Sequence, residues 1–194
     1  MTTDMTTRPP DNALEAAITA STDPEAIYRW GRTAQSFPWD LGLKRLYALG
    51  GAQYLCWAGR GWAGADLDTC LTYLLSLRVP SHIYHAGINW KRFDFRRAQP
   101  VLMQLADPAF IFYAGAYWQV FDYAAGMNAL IRTKSAEYLY RAGTLWHTFD
   151  YDAAWRIIEA DPAAEDWRAK ALTHPKWRAA LKQIWQDAWK RSNG

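Results

Sequence analysis

The fold is decided by the stretch Ile111-Phe-Tyr-Ala-Gly115-Ala-Tyr-Trp118-Gln-Val-Phe121-Asp122-Tyr123. A closely similar sequence occurs twice more in the chain. It occurs earlier as Ile83-Tyr-His-Ala-Gly87-Ile-Asn-Trp90-Lys-Arg-Phe93-Asp94-Phe95 and later as Leu139-Tyr-Arg-Ala-Gly143-Thr-Leu-Trp146-His-Thr-Phe149-Asp150-Tyr151. Self-similarity at a fixed period is typical of repeat proteins, in which each unit is one supersecondary element. The rest of the chain is therefore interpreted around this repeat.

The period is 28 residues and extends over residues 23–162. One glycine recurs in phase in all five units, and a tryptophan stands three residues after it in four of them, with Ala34 as the exception. The five repeats are residues 23–50, 51–78, 79–106, 107–134 and 135–162, and the anchor glycines are Gly31, Gly59, Gly87, Gly115 and Gly143.

Each repeat is expected to form two short helices. Asp-Pro or Ser opens the first helix, where the side chain can accept from free N–H groups and proline suits the first turn. The Asp of Phe-Asp-Tyr is expected to cap the second helix, with the Phe folded back on the small residue at Ala98, Gly126 or Ala154. A glycine repeated inside a helix implies that the neighbouring helix approaches closely, since it costs about 1 kcal/mol relative to alanine.

The ends and irregular points of the array carry their own predictions. Residues 1–11 are expected to be a disordered leader, followed by a first helix near residues 12–20 and then by one domain over residues 12–194. The second helix of the first repeat should start at Asp40, and Pro100 should delay or kink the second helix of the third. Residues 163–194 are expected to cap the array, with Trp185 and Trp189 facing the stack. No stretch alternates for long enough to predict a strand, so the predicted fold is an all-α solenoid.

The repeat core resembles the tetratricopeptide pattern Leu-Gly-x-x-Tyr, Ala-x-x-x-Phe, Pro. The matching positions are Gly87, Trp90, Ala98 and Leu102 in the third repeat and Pro108 at the start of the fourth. The likeness is architectural, since the period here is 28 residues rather than about 34. It implies a scaffold that binds proteins or peptides, which is an argument by analogy.

Composition limits the function classes. The 194 residues carry a net charge of +3, with seven basic and three acidic residues in 163–194, and the two cysteines do not form a disulfide framework. The N-terminal residues lack the apolar core of a signal peptide, and no apolar run is long enough for a membrane span. We therefore expect a cytoplasmic protein without a membrane partner.

No catalytic constellation, cofactor motif or metal set stands out. Gly59-Arg60-Gly61-Trp62-Ala63-Gly64 matches a dinucleotide fingerprint, but the repeat already accounts for its Gly59 and Trp62, and no strand is expected before it. The four histidines lack metal-ligand spacing, and the recurring aspartates are explained as helix caps. The sequence therefore predicts a protein that is not an enzyme and holds no cofactor or metal.

The positions that vary while their neighbours repeat are the candidate binding residues. They lie two before, one after and two after each glycine, on one face of the first helix, and are rich in Arg, Trp and Tyr, the residue types common in interface hot spots. A solvated face or contact with a neighbouring helix is the alternative. The predicted partner-binding residues are Arg29, Arg32, Trp57, Arg60, His85, Tyr113, Tyr117 and Arg141.

A nucleic-acid partner is the second prediction. It depends on the basic C-terminal helix and on a cluster of basic residues at the turn of the third repeat, because clustered Arg beside aromatic residues is suited to phosphate contacts. The cluster consists of Lys91, Arg92, Arg96 and Arg97.

Overall fold

The computed structural model describes residues 8–34 and 36–193. The chain divides into two compact units, residues 1–101 and 102–194, which are considered separately below. In the described residues every regular element is a helix and there is no strand. The predicted all-α helical-repeat fold is thus confirmed, whereas the single domain over residues 12–194 stays a prediction.

The first unit begins with a 3-10 turn at Asp11–Ala13 and contains six complete helices. They are α1 (Leu14–Ala20), α2 (Pro24–Thr33), α3 (Trp39–Ala48), α4 (Ala52–Gly61), α5 (Leu67–Leu77) and α6 (Pro80–Asn89). Helix α7 (Phe95–Leu105) spans the division between the units.

The second unit continues the alternation of short helices and ends in a longer one. Its helices are α8 (Pro108–Tyr117), α9 (Tyr123–Thr133), α10 (Ala136–Leu145), α11 (Tyr151–Ala160), α12 (Glu165–Thr173) and α13 (Pro175–Ser192), with a 3-10 turn at Pro162–Ala164.

Within each unit, consecutive repeats stack first helix on first helix and second on second. In the first unit α2 packs on α4 and α4 on α6, while α3 packs on α5. In the second unit α8 packs on α10, and α9 and then α13 contact α11. This arrangement is that of an α-solenoid, in which each repeat touches mainly its neighbours.

The recurring tryptophan joins one repeat to the one before it. The Trp90 indole donates from Nε1 to the Cys56 carbonyl at 2.8 Å, and a Cβ atom built on Gly59 would lie 2.5 Å from its ring. Trp62 and Trp146 make the same contacts with Gly31 and Gly115, and Trp177 with Gly143. The glycine is therefore needed because an indole, rather than a helix backbone, fills the space of its side chain.

The aspartates of the repeat cap helices as predicted. Asp66, Asp94, Asp122 and Asp150 each accept from a backbone N–H in the first turn of the following helix, at 3.0–3.2 Å. The predicted return of the Phe is also present at Gly126, because a Cβ built there would collide with the Phe121 ring. Ser135, which precedes the first helix of the fifth repeat and was also expected to cap it, makes no capping hydrogen bond with its side chain.

Every second helix from the first to the fourth repeat is followed by a residue in the left-handed conformation. Gly50, Arg78, Ala106 and Lys134 have φ between 54° and 67° and are spaced by 28 residues. The fifth repeat has Pro162 at this position, and a proline ring fixes φ near −65°. The 28-residue period thus ends where its turn becomes impossible.

Several local predictions need correction. Helix α3 starts at Trp39, one residue before Asp40, and α7 runs from Phe95 through Pro100 without a late start. At the N-terminus, residues 1–7 of the predicted leader lie outside the described residues, and Arg8 pairs with Asp11 next to the first turn.

Fewer side chains of the C-terminal helix α13 are buried than the sequence predicts. Trp177 and Leu181 are buried, but Trp185 and Trp189 are 50% and 69% exposed. The physical reason is their position on the helix: Trp185 lies eight residues, or about 80°, round from Trp177, and Trp189 lies further round. Their rings therefore lie on a flank of α13 that does not face the unit.

Candidate functional site

The residues predicted to bind a partner lie on the first helices, and we call the positions two before, one after and two after each glycine the first-helix face. In the first unit α2, α4 and α6 contribute to this face, and in the second unit α8 and α10 do so. Tyr113 is half-buried, and the other predicted residues are exposed, namely Arg29, Arg32, Trp57, Arg60, His85, Tyr117 and Arg141.

Three aromatic rings meet on the first-helix face of the first unit. The Trp57 ring centroid lies 5.6 Å from that of Tyr28 and 5.4 Å from that of Tyr54. Trp57 is nevertheless 41% exposed. An indole held by two other rings and open to solvent is a rigid apolar contact surface.

An open cleft of about 480 Å³ adjoins this cluster. It is lined by Tyr28, Arg32, Trp57, Arg60 and Gly61, so four of its five residues come from the predicted face. A neighbouring cleft of about 380 Å³ shares Tyr28, Arg32 and Trp57 and reaches Glu25 and Arg29. The first unit thus has a continuous concave surface where α2 and α4 meet.

The arginines of this surface differ in their charge balance. Arg29 forms an ion pair with Glu25 one helical turn away. Arg32 and Arg60, by contrast, have no ion-pair or hydrogen-bond partner among the described residues. Two guanidinium groups therefore line the larger of these two clefts with their donors unpaired within residues 8–34 and 36–193.

Two tyrosines, Tyr54 and Tyr28, lie beside the cleft in different surroundings. Burial raises the pKa of the Tyr54 phenol, and the Glu25 and Asp23 carboxylates raise it further. The Tyr28 hydroxyl has no hydrogen-bond partner in the described part of the chain. A Cβ built on Gly61 would lie 3.5 Å from that hydroxyl oxygen, which places it at the cleft wall.

In the second unit the first-helix face carries aromatic residues, and an ion pair neutralises its arginine. Tyr113 and Tyr117 stack with ring centroids 6.3 Å apart, and Tyr117 is 57% exposed. Arg141 pairs with Glu137 at 2.8 Å and lies 5.7 Å from the Tyr138 ring centroid. Burial, with Glu137 second, raises the pKa of Tyr138.

His85, the remaining predicted residue, is engaged within its own helix. Its Nδ1 lies 2.6 Å from the Ser81 carbonyl oxygen. The neighbouring His82 is more enclosed, and burial lowers its pKa, with His85 adding to the effect.

The basic cluster at the turn of the third repeat is interspersed with carboxylates. Lys91, Arg92 and Arg96 are exposed, while Arg97 donates to Asp68 at 3.4 Å and to the Thr72 hydroxyl at 2.7 Å. A cleft of about 560 Å³ beside the cluster includes three acids among its lining residues, Asp66, Asp68 and Asp94. The local charge is therefore close to balanced.

A second basic surface lies on α13. Trp185 and Trp189 line a shallow groove with Lys182, Gln186 and Lys190. Helix α13 has five basic residues and one acid, Asp187. The sequence predicted the basic residues of this surface but placed both indoles on the opposite, buried side.

The described residues contain no group of His, Cys, Asp or Glu arranged to hold a metal ion. Cys56 and Cys70 are buried free thiols, and burial raises their pKa to about 11 and about 12. Such thiols are poor nucleophiles because the thiolate is the reactive form. The glycine-rich stretch 59–64 begins in the last turn of α4, so it does not open a helix as a pyrophosphate site requires.

Two residues of the cleft were absent from the predicted binding set. Tyr28 lies three residues before its glycine, outside the predicted face, at a position that the buried Cys56 and Phe112 fill in other repeats. Gly61 lies on the predicted face but offers no side chain. A signal was present for Gly61, because the same position holds Thr33, Asn89, Tyr117 and Leu145 in the other repeats.

The relation of the chain to membranes and to known proteins adds little to this description. No helix in residues 8–34 and 36–193 combines the length and apolar character needed to cross a bilayer. Comparison with protein-family models, with curated proteins and with solved structures gave no significant match.

Proposed function

We propose that this chain is a non-enzymatic binding protein, an adaptor or scaffold, that recognises a protein or peptide through its first-helix face. The observation that carries the proposal is Trp57, which is 41% exposed between two tyrosines at the edge of an open cleft. The tryptophans of the repeat core are 2–7% exposed, whereas Trp57 is accessible on a repeat helix, as Trp185 and Trp189 are on the terminal helix α13.

The energetics of association support this use of the face. Trp, Tyr and Arg dominate interface hot spots because large, rigid side chains bury apolar area at low entropic cost. Trp57 and Tyr117 are held by ring contacts within their own units, so binding would immobilise few side chains. Where such a residue is a hot spot, its truncation to alanine costs about 2 kcal/mol or more of binding free energy.

Affinity capture from the source cell, with tagged wild type and two single variants, tests the proposal. Trp57→Ala and Tyr117→Ala should each weaken capture of the same protein at least about tenfold, consistent with the loss of a hot spot. Trp189→Ala is the matched control, because Trp189 is more exposed than either and lies outside the face. Equal capture by all four proteins, with unchanged circular dichroism, would refute the proposal.

Nucleic acid is the second candidate partner, and α13 is the observation that favours it. Exposed indoles between lysines suit base stacking combined with phosphate contact, and Trp185 and Trp189 lie between Lys182 and Lys190. Retention on heparin that falls steeply with salt, and capture that nuclease abolishes, would support this candidate. If Arg92→Glu, Arg96→Glu and Lys190→Glu together leave retention unchanged, it fails.

A further inference from the structure

We infer that the cleft of Tyr28, Arg32, Trp57, Arg60 and Gly61 binds a carboxylate side chain of an acidic peptide segment. This inference rests on the proposed function and assigns it a ligand chemistry. We call this surface the arginine cleft. Its position on α2 and α4 places it within the first unit.

The donors of the arginine cleft match a carboxylate. Arg32 and Arg60 stand at the same position of consecutive repeats, one residue after the glycine, and both line the cleft with guanidinium groups that no described residue pairs. The Tyr28 hydroxyl adds a third donor without a partner among the described residues. A planar guanidinium can bind both oxygens of one carboxylate, and charged hydrogen bonds of this kind are roughly twice as strong as neutral ones.

Gly61 keeps the arginine cleft open. The same position carries Asn89, Tyr117 or Leu145 in later repeats, so the first-helix C-terminus accepts large side chains in this fold. Because a Cβ at Gly61 would already lie 3.5 Å from the Tyr28 hydroxyl oxygen, a longer side chain would occupy the cleft. The space therefore exists because this repeat has no side chain at that position.

The surrounding charges favour one or two discrete anions over a continuous polyanion. Glu25 lines the adjoining cleft, and its carboxylate, with that of Asp23, contributes to the raised pKa of Tyr54. The cations of the adjoining cleft, Arg8 and Arg29, are already paired with Asp11 and Glu25, so a phosphate backbone that follows the surface beyond Arg32 gains little from them. A peptide does not depend on these cations, since it alternates charged and apolar side chains and can place an apolar residue on Trp57.

A peptide array tests the inference directly. One position of a degenerate nonapeptide is fixed as Glu, Asp, Gln, Asn or phosphoserine, and binding of the labelled full-length protein is measured on each set. Glu and Asp should bind about tenfold to a hundredfold more tightly than Gln and Asn, as expected for charged hydrogen bonds. Arg32→Gln, Arg60→Gln and Gly61→Leu should each reduce that preference to less than about threefold.

Two controls make the result specific. Arg132→Gln should retain the preference, because Arg132 is exposed on α9 in the second unit and is not among the residues that line the cleft. Unchanged circular dichroism and unfolding midpoints establish that the variants are folded.

Several outcomes would overturn the inference. These are equal binding of Glu and Gln peptides, a preference for phosphoserine without one for Glu, or displacement of the Glu peptides by an equimolar thymidine oligonucleotide. Each of these results is compatible with Trp57-dependent capture of a protein partner. The failure of this inference is therefore distinguishable from the failure of the proposed function.

Discussion

Replacement of Gly59 by alanine is the perturbation that most sharply tests how the repeats are joined. In an isolated helix this change is favourable by about 1 kcal/mol. In this protein the new methyl group would lie 2.5 Å from the Trp90 ring, so the indole must move. Overpacking of this kind costs about 1–3 kcal/mol.

The displaced ring also weakens a buried hydrogen bond. Trp90 Nε1 donates to the Cys56 carbonyl at 2.8 Å, and such a bond contributes about 0.5–1.5 kcal/mol. Against the helix-propensity gain, these two costs leave a net destabilisation of about 0.5–3.5 kcal/mol, or several degrees in the unfolding midpoint of a chain this size.

The assay is thermal and urea unfolding followed by circular dichroism at the helix band. Gly61→Ala, two residues further along α4, is the matched control, because its methyl group would lie 3.5 Å from the nearest atom. Its midpoint should equal or slightly exceed that of wild type. A Gly59→Ala protein at least as stable as Gly61→Ala would refute the role assigned to the indole.

Four further predictions follow from burial and backbone geometry. Trp177→Ala should lower the free energy of unfolding by about 3–5 kcal/mol, because its ring is fully buried against Gly143. Trp189→Ala should change that free energy by less than about 0.5 kcal/mol, and similar unfolding midpoints for the two variants would contradict this. Lys134→Gly should stabilise by about 0.5–1 kcal/mol, because lysine is strained at φ 55°, and a lowered urea midpoint would contradict that reason. Cys56 and Cys70 should react with a thiol reagent at pH 8 only as fast as the chain unfolds, since burial raises both pKa values; rapid labelling of the folded protein would refute their burial. The stability that these neutral thiols supply should be complete below about pH 8.5, the value for an unfolded thiol, and lost as pH rises through 11–12.

Much of the fold could be predicted from the sequence because its signals are local and repeat five times. The capping aspartates and the helix boundaries depend on residues within one turn of each other. The glycine column also indicated a close neighbour. The identity of that neighbour, Trp90 for Gly59, could not be predicted, because it lies 31 residues away and depends on how the repeats stack.

The limits of prediction at α13 and at the cleft have a common cause. Apolar spacing placed Trp185 and Trp189 on one face with Trp177, but it does not indicate how wide an arc of that face the neighbouring helices cover. In the same way, the sequence identified Arg32 and Arg60 as members of a face but could not show that they lack partners among the described residues. Arg29 and Arg141, at other positions of the first-helix face, form ion pairs with Glu25 and Glu137.

Side-chain footprinting of the captured complex tests the account most directly. Trp57, Tyr117 and Trp189 are all exposed in the free protein, so an oxidative or carbene label should modify each of them. In the complex the account predicts that labelling of Trp57 and Tyr117 falls several-fold while labelling of Trp189 is unchanged. Protection of Trp189, with Trp57 and Tyr117 labelled as in the free protein, would contradict it.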